Sequence, residues 1–104
     1  DYFFVKTEFR MKRVDFNDIL FVEGMSEYLR INTRNEKIMT LQNFRNLEAV
    51  LPKENFVRVH KSYIVALNKI DSIEKNRIKI GGKIIPISNT YKETFYLILN
   101  KRPG

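Results

Sequence analysis

Apolar and polar residues alternate along most of this chain, and one stretch of helical period interrupts the alternation. Tyr2-Phe3-Phe4-Val5 and Phe9 to Val14 read as two short strands, Asp18 to Glu23 as a third and Tyr28 to Thr33 as a fourth. The reason is geometric: period two sends successive side chains to opposite faces of a strand. Gly24-Met25-Ser26-Glu27 has loop chemistry, Asn35-Glu36 makes the next turn, and Lys37-Ile38-Met39 returns as an edge strand. The period then changes. Leu41, Phe44, Leu47 and Leu51 follow helical spacing, with Thr40 as an N-cap and Pro52 closing the helix, so all four apolar residues are expected to pack into the core.

Strands resume at Phe56 to His60, Tyr63 to Val65, Ile70 to Ile73 and Ile78 to Ile80. Gly81-Gly82 reads as a hairpin turn leading into Lys83 to Ile87. Pro86 lacks an N–H, which places that strand at an edge. Ser88 or Thr90 can cap a last helix, Thr90 and Glu93 having capping-box spacing, with Tyr91, Phe95 and Ile98 facing inward. The pattern predicts a mostly-β fold of many short strands with two small helices, in one domain spanning residues 1–104.

Within it, Phe56 to Val65 stands apart. Val57 and Val59 point to one face, Arg58 and the single histidine, His60, to the other, and Lys61 and Ser62 sit where the alternation breaks. Such a ledge offers positive charge and hydrogen-bond donors on a rigid support, which suits an anionic partner. The charge distribution agrees. Residues 14–52 carry four basic and six acidic side chains, whereas residues 53–104 carry eleven and four, within a net charge of +7. A basic half of this kind is the footprint of a polyanion binder.

Enzyme chemistry finds little support. With one histidine and no cysteine, no multi-ligand metal site is expected, and no cofactor. Ser62 lies two residues from His60, about 7 Å along an extended chain, too far for direct proton transfer unless the backbone folds back. No phosphate-cradling GxxxxGK[ST] loop occurs, and Glu23 and Glu27 read as a solvated pair of carboxylates. The absence of cysteine is compatible with a reducing cytoplasm. No apolar run reaches the roughly 18 residues of a membrane span, so a cytoplasmic protein without membrane contact is expected.

Four segments in order carry a family resemblance. They are Ile19-Leu20-Phe21-Val22-Glu23-Gly24 followed by Tyr28-Leu29; Leu41 to Leu51 with Pro52; Phe56 to Val65; and Ile85-Pro86-Ile87-Ser88 followed by Tyr91. From about Phe16 to Leu97 the chain resembles the LytTR domain, the DNA-binding output module of many bacterial response regulators. The resemblance implies about ten short strands in a flattened β assembly whose loops and strand ends reach DNA. It implies recognition of paired direct repeats in promoters, one domain per repeat, and a receiver domain in the full-length protein, within a phosphorelay. It also implies three contact regions: the loop from Met25 to Tyr28, the His60-Lys61-Ser62 corner, and the segment after Ser88. Two positions depart from the pattern. Asn89 stands where the family usually carries arginine; arginine suits guanine, whereas asparagine pairs with adenine. Ala66 stands where asparagine is frequent.

Five of the candidates have two readings. Lys61 contacts base or phosphate, or is an exposed lysine without a partner. His60 donates to DNA or is a hydrogen-bonded strand-end residue. Arg58 clamps a phosphate or pairs with Glu23 or Asp71. Asn89 reads a base or caps the helix, and Tyr28 contacts phosphate or packs into the core. Ser26 can donate to phosphate, and Lys92 lies one turn into the last helix as a phosphate partner. Met25 and Ser62 complete the expected surface. The competing function is a β-rich RNA-binding or non-specific polyanion-binding module, which would expose its aromatics for base stacking; Phe44, Phe56, Tyr91 and Phe95 fall on predicted core faces instead. A protein-interaction domain, marked by an exposed apolar patch, is a third reading.

Overall fold

The structure is a computed structural model and describes residues 1–101; residues 102–104, the end of the expected domain, lie outside the described residues. The chain opens with an antiparallel hairpin, β1 (Tyr2–Lys6) and β2 (Met11–Asp15). β3 (Ile19–Gly24), β4 (Leu29–Thr33) and β5 (Lys37–Thr40) then run as a meander into helix α1 (Phe44–Val50). A second hairpin, β6 (Phe56–His60) and β7 (Tyr63–Ala66), leads to a second meander, β8 (Ser72–Glu74), β9 (Arg77–Ile80) and β10 (Lys83–Pro86), and helix α2 (Asn89–Asn100) follows.

The strands form a hairpin, a three-stranded sheet and a central five-stranded sheet in the order β5-β4-β3-β7-β6. Its register explains both cores. Val22 lies opposite Ile31 and Ile64, and Ile31 opposite Ile38. These residues face Val5 and Val14 of the hairpin together with Leu47 and Leu51. On the other face Val65 lies opposite Phe21 and Val57, packed against Ile78, Ile80 and Ile85 of the three-stranded sheet and Phe95 of α2. The central sheet is thus covered on both sides. That is why β3 reads as a continuous apolar run and not as a clean alternation.

Tight turns use left-handed backbone twice. Gly81 and Gly82 have φ of 54° and 79°, as a two-residue hairpin turn of matching twist requires. Lys75 and Asn76 repeat this conformation, with φ of 52° and 60°. Pro86 ends β10 on the outer edge of the three-stranded sheet, where its missing N–H breaks no ladder.

The structure corrects several sequence expectations. Asn43, not Thr40, caps α1 by accepting from the Asn46 N–H. The Thr40 hydroxyl is buried and donates to the Lys6 carbonyl, tying β5 to the hairpin. Leu41, now ahead of the helix, is 78% exposed and is no core residue. Ser88 is the N-cap of α2 but makes no side-chain capping bond, and Thr90 lies inside the helix. The strand expected at Ile70 begins at Ser72 because a 3-10 turn occupies Leu67–Lys69. Phe9 belongs to the turn before β2 and is exposed.

Candidate nucleic-acid interface

One end of the central sheet gathers the three candidate segments. β3 ends at Gly24, whose N–H donates to the Ser62 carbonyl at 2.8 Å. The Met25 N–H donates to the Tyr28 carbonyl at 2.8 Å, closing the loop into a tight turn held beside the corner. The Ser88 N–H donates to the Val59 carbonyl at 2.9 Å, which seats the start of α2 against the end of β6. Backbone hydrogen bonds therefore join loop, corner and helix start. Ser26, Lys61 and Asn89 are exposed, while Met25, Tyr28, Ser62 and Lys92 are half-buried. The Ser88 hydroxyl is buried and has no hydrogen-bond partner among the described residues.

The His60 corner is a folded-back turn, not an extended segment. The register slips between Arg58 and His60, His60 then pairs with Tyr63, and Lys61-Ser62 form the two-residue link. The Ser62 N–H donates to His60 Nδ1 at 3.0 Å. With Nδ1 accepting, the proton of the neutral ring sits on Nε2, which is left as a donor. The ring packs edge-on against Tyr63, centroids 5.6 Å apart. His60 is therefore both hydrogen-bonded within the fold and equipped with a further N–H.

Arg58 pairs with neither Glu23 nor Asp71. Its Nη1 donates to Glu48 Oε1 at 3.0 Å, its Nε to the His60 carbonyl at 2.8 Å, and its Nη2 to the Lys61 carbonyl. The guanidinium carbon lies 4.1 Å from the Phe44 ring centroid and 5.5 Å from that of Tyr91. Nothing in the immediate sequence around Arg58 signals Glu48. The one cue is that Phe44 and Glu48 are four residues apart, and so share a face of α1.

Glu23 is buried and is not half of a solvated pair with Glu27. It lies opposite Arg30 in the register and accepts from Arg30 Nε at 2.7 Å, Asn32 Nδ2 at 3.2 Å and Lys83 Nζ at 3.3 Å. Burial pushes its carboxyl up, but the hydrogen bonds from Arg30, Asn32 and Lys83 outweigh burial and hold it below the usual glutamate value. The Glu23 hydrogen bond in turn raises Arg30. Lys83 belongs to β10, so this carboxylate links the central sheet to the three-stranded sheet behind it.

Exposed apolar groups lie on the hairpin and in a groove that adjoins the 25–28 loop. Tyr2, Phe4 and Met11 are exposed on the hairpin, and Phe9, Met39 and Leu41 border a groove between the hairpin turn and β5 that Tyr28 also lines. Phe56 and Phe95 are buried, and Phe44 and Tyr91 half-buried, so no row of exposed aromatics marks the basic end. Among the described residues no cluster of histidine, cysteine, aspartate or glutamate could hold a metal ion. No helix among them is long and apolar enough to cross a membrane.

Comparison with known proteins gives a consistent answer. Residues 9–100 match the family model described as the LytTr DNA-binding domain. The chain is 30% identical over 92 residues to the sensory transduction protein LytT of Bacillus cereus, covering 83% of this chain and 37% of that protein. It is 36% identical over 58 residues to the transcriptional regulatory protein YpdB of Escherichia coli, covering 56% of this chain and 24% of that one. The chain thus spans well under half the length of these relatives. Its fold superimposes with a TM-score of 0.84, at 24% identity, on the LytTr DNA-binding domain of a putative methyl-accepting/DNA response regulator from Bacillus cereus, over 94% of this chain and 95% of the other.

Proposed function

The chain belongs to the LytTR family of DNA-binding domains, and on that premise we propose that it reads double-stranded promoter DNA as the output domain of a bacterial two-component response regulator. One observation carries this reading: loop 25–28, corner 60–62 and the start of α2 are hydrogen-bonded into one surface at one end of the sheet. Here Lys61 and Lys92 bind phosphates, and Ser26, Ser62 and Tyr28 donate to the backbone of the duplex. His60 presents its Nε2–H, and Met25 makes apolar contact. Asn89, exposed at the first turn of α2, reads a base, its amide matching the donor and acceptor edge of adenine. Phosphate contacts set position and base contacts set sequence. This surface reaches DNA through loops and a helix start, with no helix laid along the groove.

Two copies engage paired direct repeats, one domain per repeat, in the cytoplasm, and a receiver domain in the longer protein controls them. The burial of Phe56 and Phe95 argues for this reading over a stacking RNA-binding module. A gel-shift titration on duplex promoter DNA carrying paired repeats, with scrambled duplex and single-stranded RNA as competitors, tests it. The promoter duplex is expected to resist both competitors. Competition by both as effective as that by unlabelled promoter duplex would leave only non-specific polyanion binding.

A further inference from the structure

We propose that Arg58 is a positioning residue that holds the three DNA-facing segments in register without itself touching DNA, a role that rests on the DNA-binding reading above. Arg58 lies in β6 just before the corner, with its side chain 19% exposed. Three of its donors are committed within the protein: two to the carbonyls of His60 and Lys61, one to Glu48. A guanidinium has five N–H groups in a rigid fork, so one side chain can satisfy both carbonyls of the turn and a carboxylate together. Its charge is already met by Glu48, which leaves little reason for a phosphate to approach.

The rings on either side extend the clamp. Phe44 lies under the guanidinium on one side and against Gly24 on the other, so closely that a Cβ at Gly24 would come within 2.8 Å of its ring. Tyr91, in the first turn of α2, is the other aromatic neighbour of the guanidinium. Gly24, Phe44, Arg58 and Tyr91 thus form one continuous chain of contacts. It touches the start of the 25–28 loop, the corner and the helix that presents Asn89 and Lys92. A lysine at position 58 would keep the charge and lose the fork.

The test compares wild type with Arg58→Lys in two measurements. In the free domain, amide hydrogen exchange at Ser62 and Gly24 is expected to speed up by about tenfold, while Val22 and Ile64 in the sheet interior are unchanged. On duplex promoter DNA, affinity is expected to fall by about tenfold, the loss of one good contact, with the slope of log K against log salt unchanged. The charge-removing variant Arg58→Gln is likewise expected to leave the slope unchanged, and a slope shallower by about 0.9 in that variant would make Arg58 a direct phosphate contact and overturn the proposal. So would unchanged exchange at both amides, or unchanged affinity. Should wild type bind no duplex DNA, the DNA-binding reading fails, and the exchange data alone decide whether the clamp exists. If Arg58→Lys does not fold, Glu48→Gln, which weakens the clamp from its outer side, is expected to shift exchange and affinity in the same directions by smaller factors. No change in that variant would also overturn the clamp.

Discussion

At the scale of the residue, Glu23 gives the clearest case of chemistry set by surroundings. Its carboxylate, 5% exposed, is retained because three donors from two sheets converge on it. Its folded-state pKa is depressed, so the stability it confers is present above the unfolded value and lost as pH falls through the folded one. Glu23→Gln is expected to destabilise the domain at neutral pH by about 1–3 kcal/mol. The gap to wild type should close as pH drops below the usual glutamate range, which urea titrations at the two pH values would show. An equal gap at both would mean that the charge is not the source. Asn89 and Lys61 make a contrasting pair. Asn89→Ala is expected to cost about 1–3 kcal/mol at a single base position, and Lys61→Ala to weaken all duplexes alike. Binding titrations on single-base variants of one site separate these outcomes. Period two alone put Val57 and Val59 inward and Arg58 on the other face, but it misplaced His60: the bulge after Arg58 sets His60 opposite Tyr63, on the same face as Val57 and Val65. The partners of Arg58 were not legible in the sequence: Glu48 is ten residues away on another element, and only the packing of α1 onto β6 brings them together.

At the scale of the element, α1 shows where local signals compete. Helical spacing from Leu41 pointed to Thr40 as the N-cap, although Asn43 is a residue type equally suited to that position. Tertiary structure decided, because the Thr40 hydroxyl is taken by the Lys6 carbonyl and Asn43 is left to accept from Asn46. Asn43→Ala is therefore expected to cost about 1 kcal/mol in a thermal or urea melt. Leu47→Ala is expected to cost about 2–5 kcal/mol, and Leu41→Ser to stay within about 0.5 kcal/mol of wild type. A large loss at Leu41 would put the helix start back at Thr40. The hairpin turns follow the same logic. Gly81-Gly82 announced itself, whereas Lys75-Asn76 did not, since only Asn76 is of a type that enters left-handed backbone readily.

At the scale of the molecule, the number of strands and their mostly-β character could be read from alternation, but not their division into three sheets. Which faces pair is settled by registers across distant segments, such as Val22 with Ile64 and Phe21 with Val65. The location of the surface follows from the same registers. Gly24, Leu29, Thr40, His60 and Tyr63 all lie at one end of the central sheet, and Ile19 and Thr33 at the other. The most direct test is a titration of the isotope-labelled domain with duplex promoter DNA, following every backbone amide by NMR. The largest shifts are expected at residues 24–28, 60–62 and 88–92, with the Gly81-Gly82 turn unmoved. Shifts centred instead on Phe9, Met39 and Leu41, with the three segments unchanged, would contradict the account and place the interface on the apolar groove.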